Sequence, residues 1–142
     1  MICDIYIETS LSFGQKADGI VGIAMALEEC DAKEVYGFVK NCTQPQAILY
    51  GLNRALGYTS ADEIRLHVSC AAVANALSNR WLDKWENNHY LQKGGKVVKN
   101  ASLWHECFEK INGRKIEVHL NEFNGFRNYL IYQSKLRIKK YG

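Results

Sequence analysis

At 142 residues and 47% hydrophobic content, the chain is long enough for a single domain with a sizeable core, and one proline beside 11 glycines argues against a disordered polymer. The net charge of +3 is modest, no apolar run approaches the roughly 20 residues of a membrane span, and Met1-Ile2-Cys3-Asp4 lacks the basic opening of a secretion signal, so the expected location is the cytoplasm. Cys3, Cys30, Cys42, Cys70 and Cys107 are odd in number and scattered without a Cys-x-x-Cys pair, a pattern of reduced thiols rather than disulfides or zinc, and His105-Glu106-Cys107 is too short to hold a metal alone.

Along the chain, Cys3–Glu8 and Gly19–Leu27 are apolar runs rich in isoleucine and valine and predict buried strands; Glu34–Lys40 follows the turn-like Glu28–Lys33 as a third, completing a meander. Thr43 is placed to cap a helix with Pro45 near its start, an apolar face of Ile48, Leu49, Leu52 and Leu56, and an end at Gly57. Ile64–Val68 predicts a fourth strand. A helix from about Cys70 leads toward residues 81–104, a second runs from Asn100 to Gly113, Lys115–Leu120 is a fifth strand, and Asn128–Lys139 is a closing helix.

Charge is unevenly spread. Residues 1–62 hold four Lys/Arg against eight Asp/Glu, whereas residues 63–142 hold fourteen against seven. Arg127 to Lys140 contains five positive and no negative residues. A phosphate-binding face needs such asymmetry, and a solvated basic helix produces it equally well.

The segment Trp81-Leu82-Asp83-Lys84-Trp85 sets two tryptophans at i and i+4, hence on one helix face. A basic loop with Gly94-Gly95 follows, and Lys99-Asn100-Ala101-Ser102-Leu103-Trp104 opens the next helix. Trp85 reads best as helix-to-helix packing, while Trp81 and Trp104 read equally as packing or as part of an aromatic surface. Lys84, Lys93, Lys96 and Lys99 supply charge that Asp83 and Glu86 dilute.

This segment resembles the basic handle of type 1 ribonuclease H. Ile5-Tyr6-Ile7-Glu8-Thr9-Ser10 is similar to that family's first strand, which ends in Asp-Gly-Ser. Tyr50-Gly51-Leu52-Asn53-Arg54-Ala55-Leu56 is similar to its first helix, and Leu66-His67-Val68-Ser69-Cys70 to its fourth strand. The resemblance implies a ribonuclease H-like α/β fold, a five-stranded mixed sheet flanked by helices over residues 1–142. It further implies a nucleic-acid surface of Asn41, Trp81, Lys84, Lys96, Lys99 and Trp104, with RNA–DNA hybrid as partner.

Family chemistry calls for four carboxylates holding two divalent cations roughly 3.5–4 Å apart. Carried over by position, these four sites fall on Glu8, Gln44, Ser69 and Tyr132, and only Glu8 is acidic. Glu122, near the loop before the last helix, is the one other acid within reach, and it reads as a solvent-facing residue. The resemblance thus implies a pseudoenzyme with no bound cofactor; Mg²⁺ would be needed if it were active. Two other readings stand beside it: a protein interaction module on the same fold, and an active ribonuclease H with substitute ligands. Glu8, Gln44 and Ser69 are expected to converge at one end of the central strands, with Glu8 as the sole residual metal ligand.

Overall fold

The computed structural model describes residues 1–28, 31–122 and 124–141, so Cys30 and Phe123 lie outside the described residues. Five strands, β1 (Ile2–Thr9), β2 (Ala17–Leu27), β3 (Lys33–Cys42), β4 (Glu63–Val68) and β5 (Lys115–Leu120), form one mixed sheet in the order β3-β2-β1-β4-β5. The first three pair antiparallel as the expected meander, and β1, β4 and β5 run parallel. Five helices complete the order: α1 (Gln44–Tyr58), α2 (Ala71–Ser78), α3 (Trp81–Asn87), α4 (Ala101–Ile111) and α5 (Arg127–Tyr141).

Strand alternation divides the side chains between two faces. Ile5 and Ile7 of β1 and Ile64, Leu66 and Val68 of β4 are buried on the face that receives α1, whose Ile48, Leu49, Leu52 and Leu56 are buried with them. Gly51 makes this docking possible, because a Cβ there would lie 2.7 Å from Val21 Cγ2 and 3.1 Å from Ile7 Cγ2. Thr43 caps α1 as its sequence predicts. Its hydroxyl accepts from Gln46 N while Gln46 Oε1 accepts from Thr43 N, a reciprocal pair that stabilises the first turn. Buried Asn53 then ties α1 to α4 through a 3.0 Å bond to the Leu103 carbonyl.

The opposite face carries Asp4, Tyr6 and Glu8 on β1 and Arg65 and His67 on β4. Here α5 crosses β1 and β2, burying Leu130 and Ser134. Gly22 is the close approach, since a Cβ would stand 3.0 Å from Ser134 Oγ.

One expectation needs correction. The helix leading into residues 81–104 is broken into α2 and α3 at Arg80, whose φ of 55° lies in the left-handed region and ends the first segment. Among the described residues no helix is long and apolar enough to cross a membrane. Cys3, Cys42, Cys70 and Cys107 carry free thiols.

Candidate functional site

The parallel register of β1 and β4 pairs Ile2 with Glu63 and Tyr6 with His67. Continued by two residues, the same offset sets Glu8 opposite Ser69, at the carboxyl ends of the central strands. Ser69 Oγ donates to Glu8 Oε1 at 2.7 Å. Glu8 is only 6% exposed, and burial pushes its carboxyl above the ordinary range; the Ser69 hydrogen bond and the positive charge of Arg127 pull the other way.

Gln44 opens α1 and lies seven residues, two turns, before Gly51, so it shares the helix side that faces the sheet. Tyr132 does not join this group. It is 60% exposed on the outer side of α5, because the inward positions of that helix are Leu130 and Ser134. The α5 residue whose charge reaches Glu8 is instead Arg127, half-buried in the first turn. A basic residue at the helix start facing an acid on β1 becomes visible only once α5 is laid across the sheet.

Beside these residues a groove of about 680 Å³ runs between α3 and α4 on one side and the start of α1 on the other. Trp81, Trp85, Trp104 and Lys99 line its handle wall, and Thr43 and Gln46 its α1 wall. Phe13, 82% exposed, and Lys16 reach it from the β1–β2 loop. The tryptophans form a chain with ring centroids 6.1 Å apart for Trp81–Trp85 and 5.5 Å for Trp85–Trp104.

Trp81 is 38% exposed, as its surface role requires, and Trp85 packs at the centre of the chain. Trp104 departs from expectation: at 5% exposure it belongs to the core, held by Trp85 on one side and by the hydrophobic cluster under α1 on the other. It backs the groove and offers little face to a ligand. Lys84, Lys96 and Lys99 are all exposed, and no ion pair engages them among the described residues. Asn41 sits at the end of β3 with φ of 51°, and its N–H donates to Asp18 Oδ1 at 2.8 Å, leaving its own side chain outward and exposed. Glu122, also exposed, pairs with His119 and not with Glu8.

The chain is 32% identical over 111 residues to a ribonuclease H of Thermoanaerobacter sp. (strain X514), covering 71% of this chain and 70% of that protein. It is 31% identical over 127 residues to the ribonuclease H of Acetivibrio thermocellus, covering 84% and 85%. No family model matches it. Among solved structures it is similar to RNase H1 from the halophilic archaeon Halobacterium salinarum NRC-1, with a TM-score of 0.69, 15% identity and 99% of both chains covered. It is also similar to LC11-RNase H1 in complex with an RNA/DNA hybrid, with a TM-score of 0.62, 13% identity and coverage of 96% and 99%. At such identities the structural likeness establishes the fold.

Proposed function

The chain belongs to the ribonuclease H family, and from that premise we propose that it binds nucleic acid, RNA–DNA hybrid in particular, without carrying out two-metal hydrolysis. The observation that carries this reading is the environment of Glu8. Its one hydrogen-bond partner among the described residues is a neutral hydroxyl, Ser69, and the nearby charge it feels is the positive one of Arg127. Mg²⁺ keeps several waters and seeks hard, preferably anionic oxygens, and a pair of such ions needs several carboxylates between them. Gln44 and Ser69 supply none, and the positive charge of Arg127 disfavours a dication. The residues present do not fit two Mg²⁺ ions.

Loss of carboxylates also removes the mutual repulsion that a cluster of four would suffer without metal. What remains is suited to holding a strand. The groove presents the open face of Trp81 and the exposed ring of Phe13 for stacking, with Lys16 and Lys99 at its rim and Lys96 beyond. Such a surface recognises phosphate and ring faces and carries little sequence information. The free thiols of Cys3, Cys42, Cys70 and Cys107 support a cytoplasmic setting.

Fluorescence anisotropy with a labelled RNA–DNA hybrid, titrated at several salt concentrations, together with a cleavage assay in Mg²⁺ or Mn²⁺, tests this. Salt-sensitive binding without cleavage is the expected result. Metal-dependent cleavage that disappears in Glu8→Gln would establish an active nuclease instead. Absence of binding at low salt would turn the groove over to a protein partner.

A further inference from the structure

On the same sheet face, one row along from Glu8 and Ser69, two histidines and a carboxylate converge. His67 of β4 pairs in register with His119 of β5, and their rings stack with centroids 4.8 Å apart and planes 19° apart. Glu122, two residues beyond β5, brings Oε2 to 2.5 Å from His119 Nδ1. One ligand atom from each of His67, His119 and Glu122 can be chosen so that all lie within 4.8 Å of one another.

We propose that His67, His119 and Glu122 form a binding site for a first-row transition-metal dication of the Zn²⁺ type. Two imidazoles and one carboxylate are a donor set that borderline metals accept and that Mg²⁺, which takes oxygen, does not. The site is therefore distinct from the position the family gives to its Mg²⁺ ligands, from which two residues of strand separate it, about 7 Å.

The residue behind His67 is arranged as a metal-bound histidine needs. His67 Nε2 lies 2.8 Å from Asp4 Oδ1, and Asp4 is itself held by Arg65, with Nε 3.1 Å from Oδ1 and Nη2 3.2 Å from Oδ2. A carboxylate that accepts from one ring nitrogen fixes the tautomer and leaves the lone pair on the other, Nδ1, for a metal. His119 differs: Glu117 Oε1 is 3.2 Å from its Nε2 without a hydrogen bond, while its Nδ1 faces Glu122. Off the ideal hydrogen-bond direction, that buried Nε2 has no hydrogen-bond partner among the described residues.

Charge argues the same way. Asp4, Glu117 and Glu122 surround the two rings, and Arg65 is the one cation paired with any of them among the described residues. A dication would neutralise the excess, entering between His119 Nδ1 and Glu122, which now contact each other directly. Tetrahedral Zn²⁺ with bonds of about 2.0–2.1 Å needs its ligand atoms about 3.3 Å apart. Reaching that spacing calls for movement of Glu122, with 59% of its side chain exposed, and for rotation of the His67 ring toward His119. Three protein ligands leave the fourth position to water.

Titration calorimetry of the full chain with Zn²⁺, and visible absorption with Co²⁺ as the spectroscopic probe, tests the assignment. One equivalent is expected to bind, with Co²⁺ showing the intense d–d bands of a four- or five-coordinate nitrogen and oxygen site, and millimolar Mg²⁺ should not compete. His119→Ala and Glu122→Gln should each weaken binding at least 100-fold, and Asp4→Asn by about 10–100-fold through loss of ring orientation. His105→Ala, altering the separate cluster with Glu86 and Glu109, should change nothing. Circular dichroism confirms that each variant is folded; the exposed Glu122 provides the answer should a histidine variant fail. No stoichiometric binding, binding unchanged in both His119→Ala and Glu122→Gln, or a thiolate-to-cobalt charge-transfer band would overturn the proposal.

Discussion

Ser69 donates a 2.7 Å hydrogen bond to Glu8 across the two central parallel strands, joining the ends of β1 and β4. The bond gives a buried carboxyl one neutral partner. Its consequence is a pH dependence of stability with a definite sign. Burial raises the folded-state pKa of Glu8 above its unfolded value, so the native state holds that proton more tightly. The stabilisation from this group is complete below the ordinary glutamate range and is lost as pH rises through the raised value. Glu8→Gln keeps an oxygen for Ser69 and removes the ionisation. The variant should therefore gain stability relative to wild type as pH rises from about 4 to 7, an increment of about 1.4 kcal/mol for each unit by which the native pKa exceeds the unfolded one. Urea unfolding at pH 4 and pH 7 checks it; a wild type that outgains the variant toward neutrality would show that Arg127 dominates burial.

Gly51 fixes how closely α1 sits on the sheet. Gly51→Ala would drive a methyl against Val21 and Ile7, both fully buried. The expected loss is about 1–3 kcal/mol despite the better helix propensity of alanine. Thermal unfolding reads this directly, and an unchanged or raised Tm would mean that α1 lifts without cost.

For the groove, Lys96→Ala with Lys99→Ala should weaken hybrid binding and flatten the dependence of log K on log salt. The change in slope should be up to about 0.9 for each phosphate that the variant no longer neutralises, by the duplex-DNA measure. Trp81→Ala should cost about 1–3 kcal/mol of binding if a base stacks on its open face, whereas Trp104→Ala should chiefly lower stability, as a core truncation does. Equal hybrid affinity in wild type and the double lysine variant would make the handle a structural relic.

The thiols offer a separate check. Burial pushes Cys107 up to about 12, leaving almost no thiolate at neutral pH. Alkylation of the folded protein near pH 8 should therefore reach half-exposed Cys42 well before Cys107, as read by peptide mass spectrometry. Early labelling of Cys107 would indicate that α4 opens from α1.

Much of the architecture was legible because local chemistry and tertiary structure agree. The isoleucine and valine runs became β1 and β2, Thr43 and Pro45 start α1, and the face of Ile48, Leu49, Leu52 and Leu56 is the buried one. The deficit of acids was legible too. No Asp or Glu lies between Glu34 and Asp62 or within Arg127–Lys140, whatever the register.

The sequence by itself therefore determined the element order, the family resemblance and the scarcity of carboxylates, since each follows from residue type and short-range spacing. Only the tertiary structure decided which side chains meet. Trp81 and Trp104 look alike in sequence, yet packing against Trp85 and the core under α1 buries one and leaves the other partly open. Arg127 stands 119 residues from Glu8 along the chain, and the path of α5 across the sheet brings its charge there in place of Tyr132. His67 and His119 become neighbours through the parallel pairing of β4 with β5. Strand alternation predicts a side chain's face, but strand order and register set its neighbours, and those are properties of the whole sheet.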